Sequence, residues 1–148
     1  MKIEAEEHEM IKLTHPIIDI GIVCSHFEES LVFYRDKLGF EVETEMNIPE
    51  VTAVGAALAP SEFRHVRLRA GDTLIKLMEI ENPPPRRSHE FAAGVRWLTF
   101  VVEDIWQTKK ELEAQGVDFL TDVHVPADVR GVVCASDPDG LLIEFVTI

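Results

Sequence analysis

Two carboxylates, two cations, an imidazole and an indole stand where an apolar pattern leads the eye to expect something else. Asp19 interrupts IIDIGIV, Lys76 interrupts LIKLMEI, Trp97 stands in VRWLTFVV and Glu144 in LLIEFVTI, while His65 and Arg67 alternate with apolar residues in RHVRLRA. These types can do work together. Asp19 or Glu144 can move a proton, and Lys76 and Arg67 can hold negative charge that develops on a substrate. A guanidinium forks onto carboxylate or phosphate, and an indole face stacks on a flat ligand. The plainer reading is that Lys76 forms ion pairs with Asp19 and Glu144, so that the charges neutralise one another.

An internal repeat says which elements must position these residues. IDIGIVCSHFEESLVFYRDKLGFEV (18–42) and RWLTFVVEDIWQTKKELEAQGVDF (96–119) follow one plan: apolar strand, capped helix start, amphipathic helix, Gly, strand. Asp19 falls on Trp97, Ser25 on Glu103, and Gly39 on Gly116 after one deletion in the helix. In the first copy Phe27, Leu31, Tyr34 and Leu38 make one buried stripe, opposite Glu28, Glu29, Arg35 and Lys37. Ser25 with Glu28, and Asp104 with Gln107, fit capping boxes; Gly39 and Gly116 fit C-terminal caps. GDTLIKLMEI (71–80) and PDGLLIEFVTI (138–148) are each a turn and then a mostly apolar strand, which aligns Lys76 with Glu144. Each unit thus reads strand, helix, three strands, with the Pro-rich ENPPPRRSHEFAAG (81–94) as hinge. The expected organisation is an acidic leader, 1–16, and one domain, 17–148, made of module 1 (17–81) and module 2 (94–148).

Strand alternation then sorts side chains by face. Ile18, Ile20 and Ile22, with Leu98, Phe100 and Val102, take the helix side, as do Ile75, Leu77, Ile143 and Phe145. Asp19, Lys76, Trp97 and Glu144 face the other way, towards a shared cleft. If Gly71 and Asp72 are the centre of a tight turn, Arg67 pairs with Lys76 and His65 with Met78. Arg67, His65 and Met78 then join the cleft, with Val101 and Leu142 as apolar wall. The connection 47–62 is long and carries small apolar side chains, which predicts a cover over the cleft or a dimer contact. His8, His15, His26, His89 and His124 have no metal spacing and are expected in solvent.

Composition removes several functions. With 46 % hydrophobic and 28 % charged residues the chain can bury a core. A net charge of -13 repels phosphate backbones and anionic membranes, so neither nucleic acid nor membrane is an expected partner. No apolar run reaches the roughly 18 residues of a span, and no signal peptide is apparent, so a cytoplasmic location is expected. Cys24 and Cys134 lie in apolar runs without metal or redox spacing, and are expected to pack as thiols.

The segments IDIGIVCSHFEESLVFYRDKLGFEV, GDTLIKLMEI, WLTFVVEDI and DPDGLLIEFV resemble the vicinal oxygen chelate superfamily, from residue 17 to the end. That superfamily groups glyoxalase I, methylmalonyl-CoA epimerases, extradiol dioxygenases, and the fosfomycin and bleomycin resistance proteins. The resemblance implies an α+β fold: two βαβββ modules forming a cupped, incomplete eight-stranded barrel around a ligand cleft, often in a homodimer. It also implies metal-ligand places on the first, fourth, fifth and eighth strands, here Asp19, Lys76, Trp97 and Glu144, of which only Glu144 matches. An ammonium has no lone pair and an indole only donates, so no metal and no other cofactor is expected. Trp97 becomes an aromatic wall in place of a ligand. Two functions follow as expectations: a metal-independent lyase or isomerase/epimerase using Asp19, Glu144 and Lys76, or a non-catalytic protein that binds a small anionic or aromatic molecule.

Overall fold

The computed structural model describes residues 11–87 and 91–148. Residues 1–10 of the expected leader, His8 included, and His89 of the hinge lie outside the described residues. In chain order the elements are β1 (Asp19–Val23), α1 (Phe27–Leu31) continued by a π-helical turn (Val32–Lys37), β2 (Glu41–Ile48) and α2 (Glu50–Gly55). There follow β3 (Phe63–Ala70), β4 (Thr73–Ile80), β5 (Trp97–Val101), α3 (Ile105–Ala114), β6 (Gly131–Ser136) and β7 (Leu142–Thr147). One sheet has the order β1-β4-β3-β2 and the other β5-β7-β6. β1 runs parallel to β4, and β5 to β7; the remaining pairs are antiparallel. The two sheets do not join into a closed barrel, so the architecture is the cupped, open α+β arrangement.

The sixth of the eight expected strands, between α3 and β6, is not a regular one. Its segment pairs with β6 through the isolated bridges Phe119↔Ala135 and His124↔Val132, six residues (119–124) against four of β6 (132–135). The surplus breaks the alternation, and no continuous ladder forms between the bridges. His124 is one of the bridging residues and, as expected, is exposed to solvent.

The two helices show where the repeat's one-residue difference went. Leu38 N–H donates to Phe33 O at 2.9 Å, five residues back, so the first helix widens into a π turn, whereas α3 stays α-helical. One extra residue is absorbed this way, and Phe33 and Tyr34 are both buried. Gly39 (φ 78°) and Gly116 (φ 82°) end the helices in the left-handed region, as expected. Asp104 caps α3, accepting from Gln107 N–H at 3.0 Å. Ser25 does not cap α1. His26 holds that place without a side-chain bond to the helix backbone, its Nδ1 lying 3.1 Å from Ser25 Oγ, and the Ser25 backbone N–H donates to Asp139 Oδ2 at 3.0 Å while its hydroxyl bonds the same carboxylate.

Most of the predicted helix-side residues form one core across both modules, but Ile18, which precedes β1, is exposed, and Ile20 stays outside the cluster. Val66, Leu68, Ile75 and Leu77 are buried with Val133, Ala135, Ile143 and Phe145. Each of the Val, Leu, Ile and Phe side chains among them stabilises by about 1.5–3 kcal/mol. Phe40 meets Phe100 at a centroid distance of 5.4 Å, and Tyr34 OH donates to the buried Asp137 Oδ2 at 2.8 Å. One buried core therefore runs through both modules. The connection 47–62 contains α2, which the sequence pattern did not reveal; its Ala53 is fully buried.

Candidate functional site

Register decides which side chains meet. The turn at Gly71 (φ 61°) closes β3 on β4 with Arg67 opposite Lys76 and His65 opposite Met78, the pairing expected from the sequence. The parallel β1 sets Asp19 beside Leu74 and Gly21 beside Lys76. Arg67 Nη2 donates to Asp19 Oδ2 at 2.8 Å, and Lys76 Nζ stands 3.6 Å from the same oxygen. One carboxylate thus serves two cations, and a single positive charge is left over.

A β-bulge adds a residue that sequence reasoning missed. β2 pairs Val42 with Leu68 and then Thr44 with Arg67, so Glu43 is the extra residue. Regular pairing would have set Glu43 against Arg67. Instead Glu43 bonds Arg69, and Thr44 arrives on the cleft face opposite Arg67. Three buried polar atoms on this face have no hydrogen-bond partner among the described residues: Thr44 Oγ1, His65 Nε2 and Arg67 Nε. His65 is 8 % exposed. Burial holds its pKa below the ordinary imidazole value, reinforced by the positive charges of Lys76 and Arg67 and opposed by Asp19. His65 is therefore neutral near pH 7.

The second module contributes a different set. β5 and β7 place Trp97 beside Leu142 and Thr99 beside Glu144, and β6 sets Cys134 across from Glu144. Thr99 Oγ1 donates to Glu144 Oε1 at 2.7 Å. The expected Lys76–Glu144 ion pair is not among the contacts of the described residues; Glu144 turns to Thr99, and Lys76 to Asp19. Cys134 is half-buried on the cleft face, its thiol pKa pushed up by burial and by Glu144 against the opposing charge of Arg96. Cys24 is buried, and neither cysteine is in a disulfide. Trp97 is 52 % exposed and Val101 61 %, so this face is open in a single chain. Val101 also lines, with Thr99, Leu38, Phe40 and Gly71, a cavity of about 450 Å³ beside the outer edge of β5. A second cavity of about 400 Å³ lies along β1, between Gly21 and Val23, Pro84, and Asp139 and Leu141.

The four family ligand places do not fit a divalent ion. Asp19 is already shared by a guanidinium and an ammonium, Lys76 repels a cation, Trp97 has no ligand atom, and Glu144 accepts from Thr99. Among the described residues no three His, Cys, Asp or Glu side chains gather as a metal site. No helix among them is long and apolar enough to cross a membrane.

Comparison with known proteins agrees with this open two-module architecture. The chain is 30 % identical over 133 residues to the uncharacterized protein YwkD of Bacillus subtilis (strain 168), covering 90 % of this chain and 97 % of that one. It is 30 % identical over 126 residues to the uncharacterized protein YaeR of Escherichia coli (strain K12), covering 85 % and 91 %. Among solved structures, SMU.1112c superposes with a TM-score of 0.69 at 26 % identity, covering 93 % of this chain and 99 % of that one. The family model for the Glyoxalase/Bleomycin resistance protein/Dioxygenase superfamily matches residues 15–145, nearly all of both modules. Repeat, sheet order and match together make this chain a member of the Glyoxalase/Bleomycin resistance protein/Dioxygenase superfamily.

Proposed function

We propose that the protein binds a small molecule with an anionic group and an apolar or aromatic body, without a divalent metal. The cluster Arg67–Asp19–Lys76 carries this reading. It leaves one positive charge at the place where the family's divalent metal would have stood. Trp97, Val101 and Met78 offer surface for the apolar part, and stacking on an indole needs no charge on the ligand. We assign a homodimer as the working form, since the exposed Trp97 and Val101 call for a second wall, and a cytoplasmic location, since free thiols suit a reducing compartment. Calorimetric titration with aromatic carboxylates and their amides tests the reading. Carboxylates are expected to bind more tightly than the amides, and the preference to vanish in Arg67→Ala; equal binding of both classes overturns it.

One observation favours chemistry, by a metal-independent lyase or isomerase/epimerase. Asp19 faces two cations and Glu144 a hydroxyl donor, so the carboxylates expected to move protons are both engaged. His65 Nε2 has no partner among the described residues, and the ring is neutral, which suits a general base. Solvent-deuterium incorporation α to the carboxylate of a bound 2-substituted acid, lost in His65→Gln, supports this reading; no incorporation in the parent protein excludes it.

A further inference from the structure

We infer that Thr44, His65 and Arg67 together hold a single carboxylate, and that the bulge at Glu43 completes the set. This deepens the anion-binding reading and rests on it. Thr44 Oγ1, His65 Nε2 and Arg67 Nε are buried polar atoms on neighbouring positions of one sheet face, and none has a partner among the described residues. Thr44 stands directly opposite Arg67 across β2 and β3, a pairing that places Cβ atoms about 5 Å apart. His65 follows two residues along the same face of β3, about 7 Å away. A buried polar group without a partner is costly, and three on one face compound the cost unless a ligand group meets them.

Chemistry narrows what that group is. Arg67 Nε–H can only donate, the Thr44 hydroxyl can donate, and a neutral His65 can present Nε2–H, so the partner is an acceptor with several lone pairs. A carboxylate offers about four such sites. Charge sets the valence: Arg67 and Lys76 against Asp19 leave one positive charge, because His65 is neutral and Arg69 is paired with Glu43. A monoanion balances it. A phosphate dianion would leave negative charge uncompensated beside Asp19, and an amide would leave the positive charge unmet.

The bulge turns the local sequence to this purpose. Without it Glu43, a carboxylate of the protein itself, would occupy the place opposite Arg67 and close the set to an anion. With it Glu43 goes to Arg69, and a hydroxyl donor takes its place.

The test is side-chain ¹H–¹⁵N NMR of the whole protein, following the His65 ring and the Arg67 Nε–H during titration with benzoate, benzamide and inorganic phosphate. Benzoate is expected to move both signals with saturation in the millimolar range, benzamide to move neither, and phosphate to bind more weakly. Thr44→Val, which keeps the side chain's shape, should weaken benzoate roughly two- to tenfold, as one net hydrogen bond does. Its urea midpoint, compared with the parent, reports whether the fold is kept. If benzoate binds and Arg67→Ala weakens it, yet His65 does not respond and Thr44→Val binds normally, this set is wrong while the anion-binding reading stands. If benzoate and benzamide bind alike, both are wrong. Signals unmoved by benzoate mean that water satisfies these atoms, and a stronger response to phosphate overturns the carboxylate class.

Discussion

Arg67 and Trp97 divide the ligand between charge and surface, and their variants should separate the two. A charge-assisted contact is worth about 1.5–3 kcal/mol, so Arg67→Ala should weaken an anionic ligand about ten- to a hundredfold and leave its uncharged analogue nearly unchanged. Trp97→Ala should weaken both alike, which paired calorimetric titrations of both variants will read. His65 makes a second prediction. Its folded pKa lies below the unfolded 6.5, so the unfolded chain takes the proton more readily. The stability this contributes is fully present above pH 6.5 and is lost as pH falls towards the folded value. Urea midpoints should drop on acidification through that window, and His65→Gln should flatten the drop. Elemental analysis of the purified protein should find no stoichiometric Zn, Ni, Co, Fe or Mn, because Lys76 and Trp97 occupy ligand places. Arg67, Lys76 and His65 were legible in the sequence because a two-residue turn at Gly71 fixes every pair above it. Thr44 was not, because a bulge shifts alternation without any mark in residue type.

Elements carry the parts of the repeat that local rules cannot place. The one-residue difference between the copies was visible as a gap, but nothing in FEESLVFYRDK shows that it becomes a π turn rather than a longer loop. Packing accompanies it, since Phe33 and Tyr34 are both buried in the widened turn. Ser25 illustrates the same limit: a capping pattern lost to Asp139, a partner more than a hundred residues later in the chain. Tyr34→Phe should cost about 1–3 kcal/mol, since Asp137 is buried and keeps only the backbone donors of Asp139 and Leu141. Gly131→Ala tests the seat of α3 on β6. A Cβ there would stand 3.0 Å from Ile105 Cγ2 and 3.1 Å from Val123 Cγ1, both methyl groups of stiff β-branched side chains. Overpacking of this kind costs about 1–3 kcal/mol, and a lower urea midpoint at unchanged slope is the expected result.

At the scale of the whole molecule the question is whether two similar modules are two folding units or one. Sequence similarity between the copies suggests independence, yet the core ignores the boundary. Cys24, Phe27 and Tyr34 belong to the same buried cluster as Val133, Leu141 and Ile143, and the contacts Phe40–Phe100, Tyr34–Asp137 and Ser25–Asp139 tie the two halves. The second module is also the weaker sheet, three regular strands with a fourth segment held by two bridges. Separating the chain at the hinge would expose the core-facing side of each sheet, and halves of this size bury too little surface to offset the loss. Residues 1–87 and 88–148, produced apart, should therefore each lack a cooperative thermal transition. Mixed at equal concentration they should regain one, with a midpoint that rises with concentration as expected for association. A sharp, concentration-independent transition in either half alone would show that its core closes without the other, and that the shared cluster is a contact between finished modules rather than the centre of one fold.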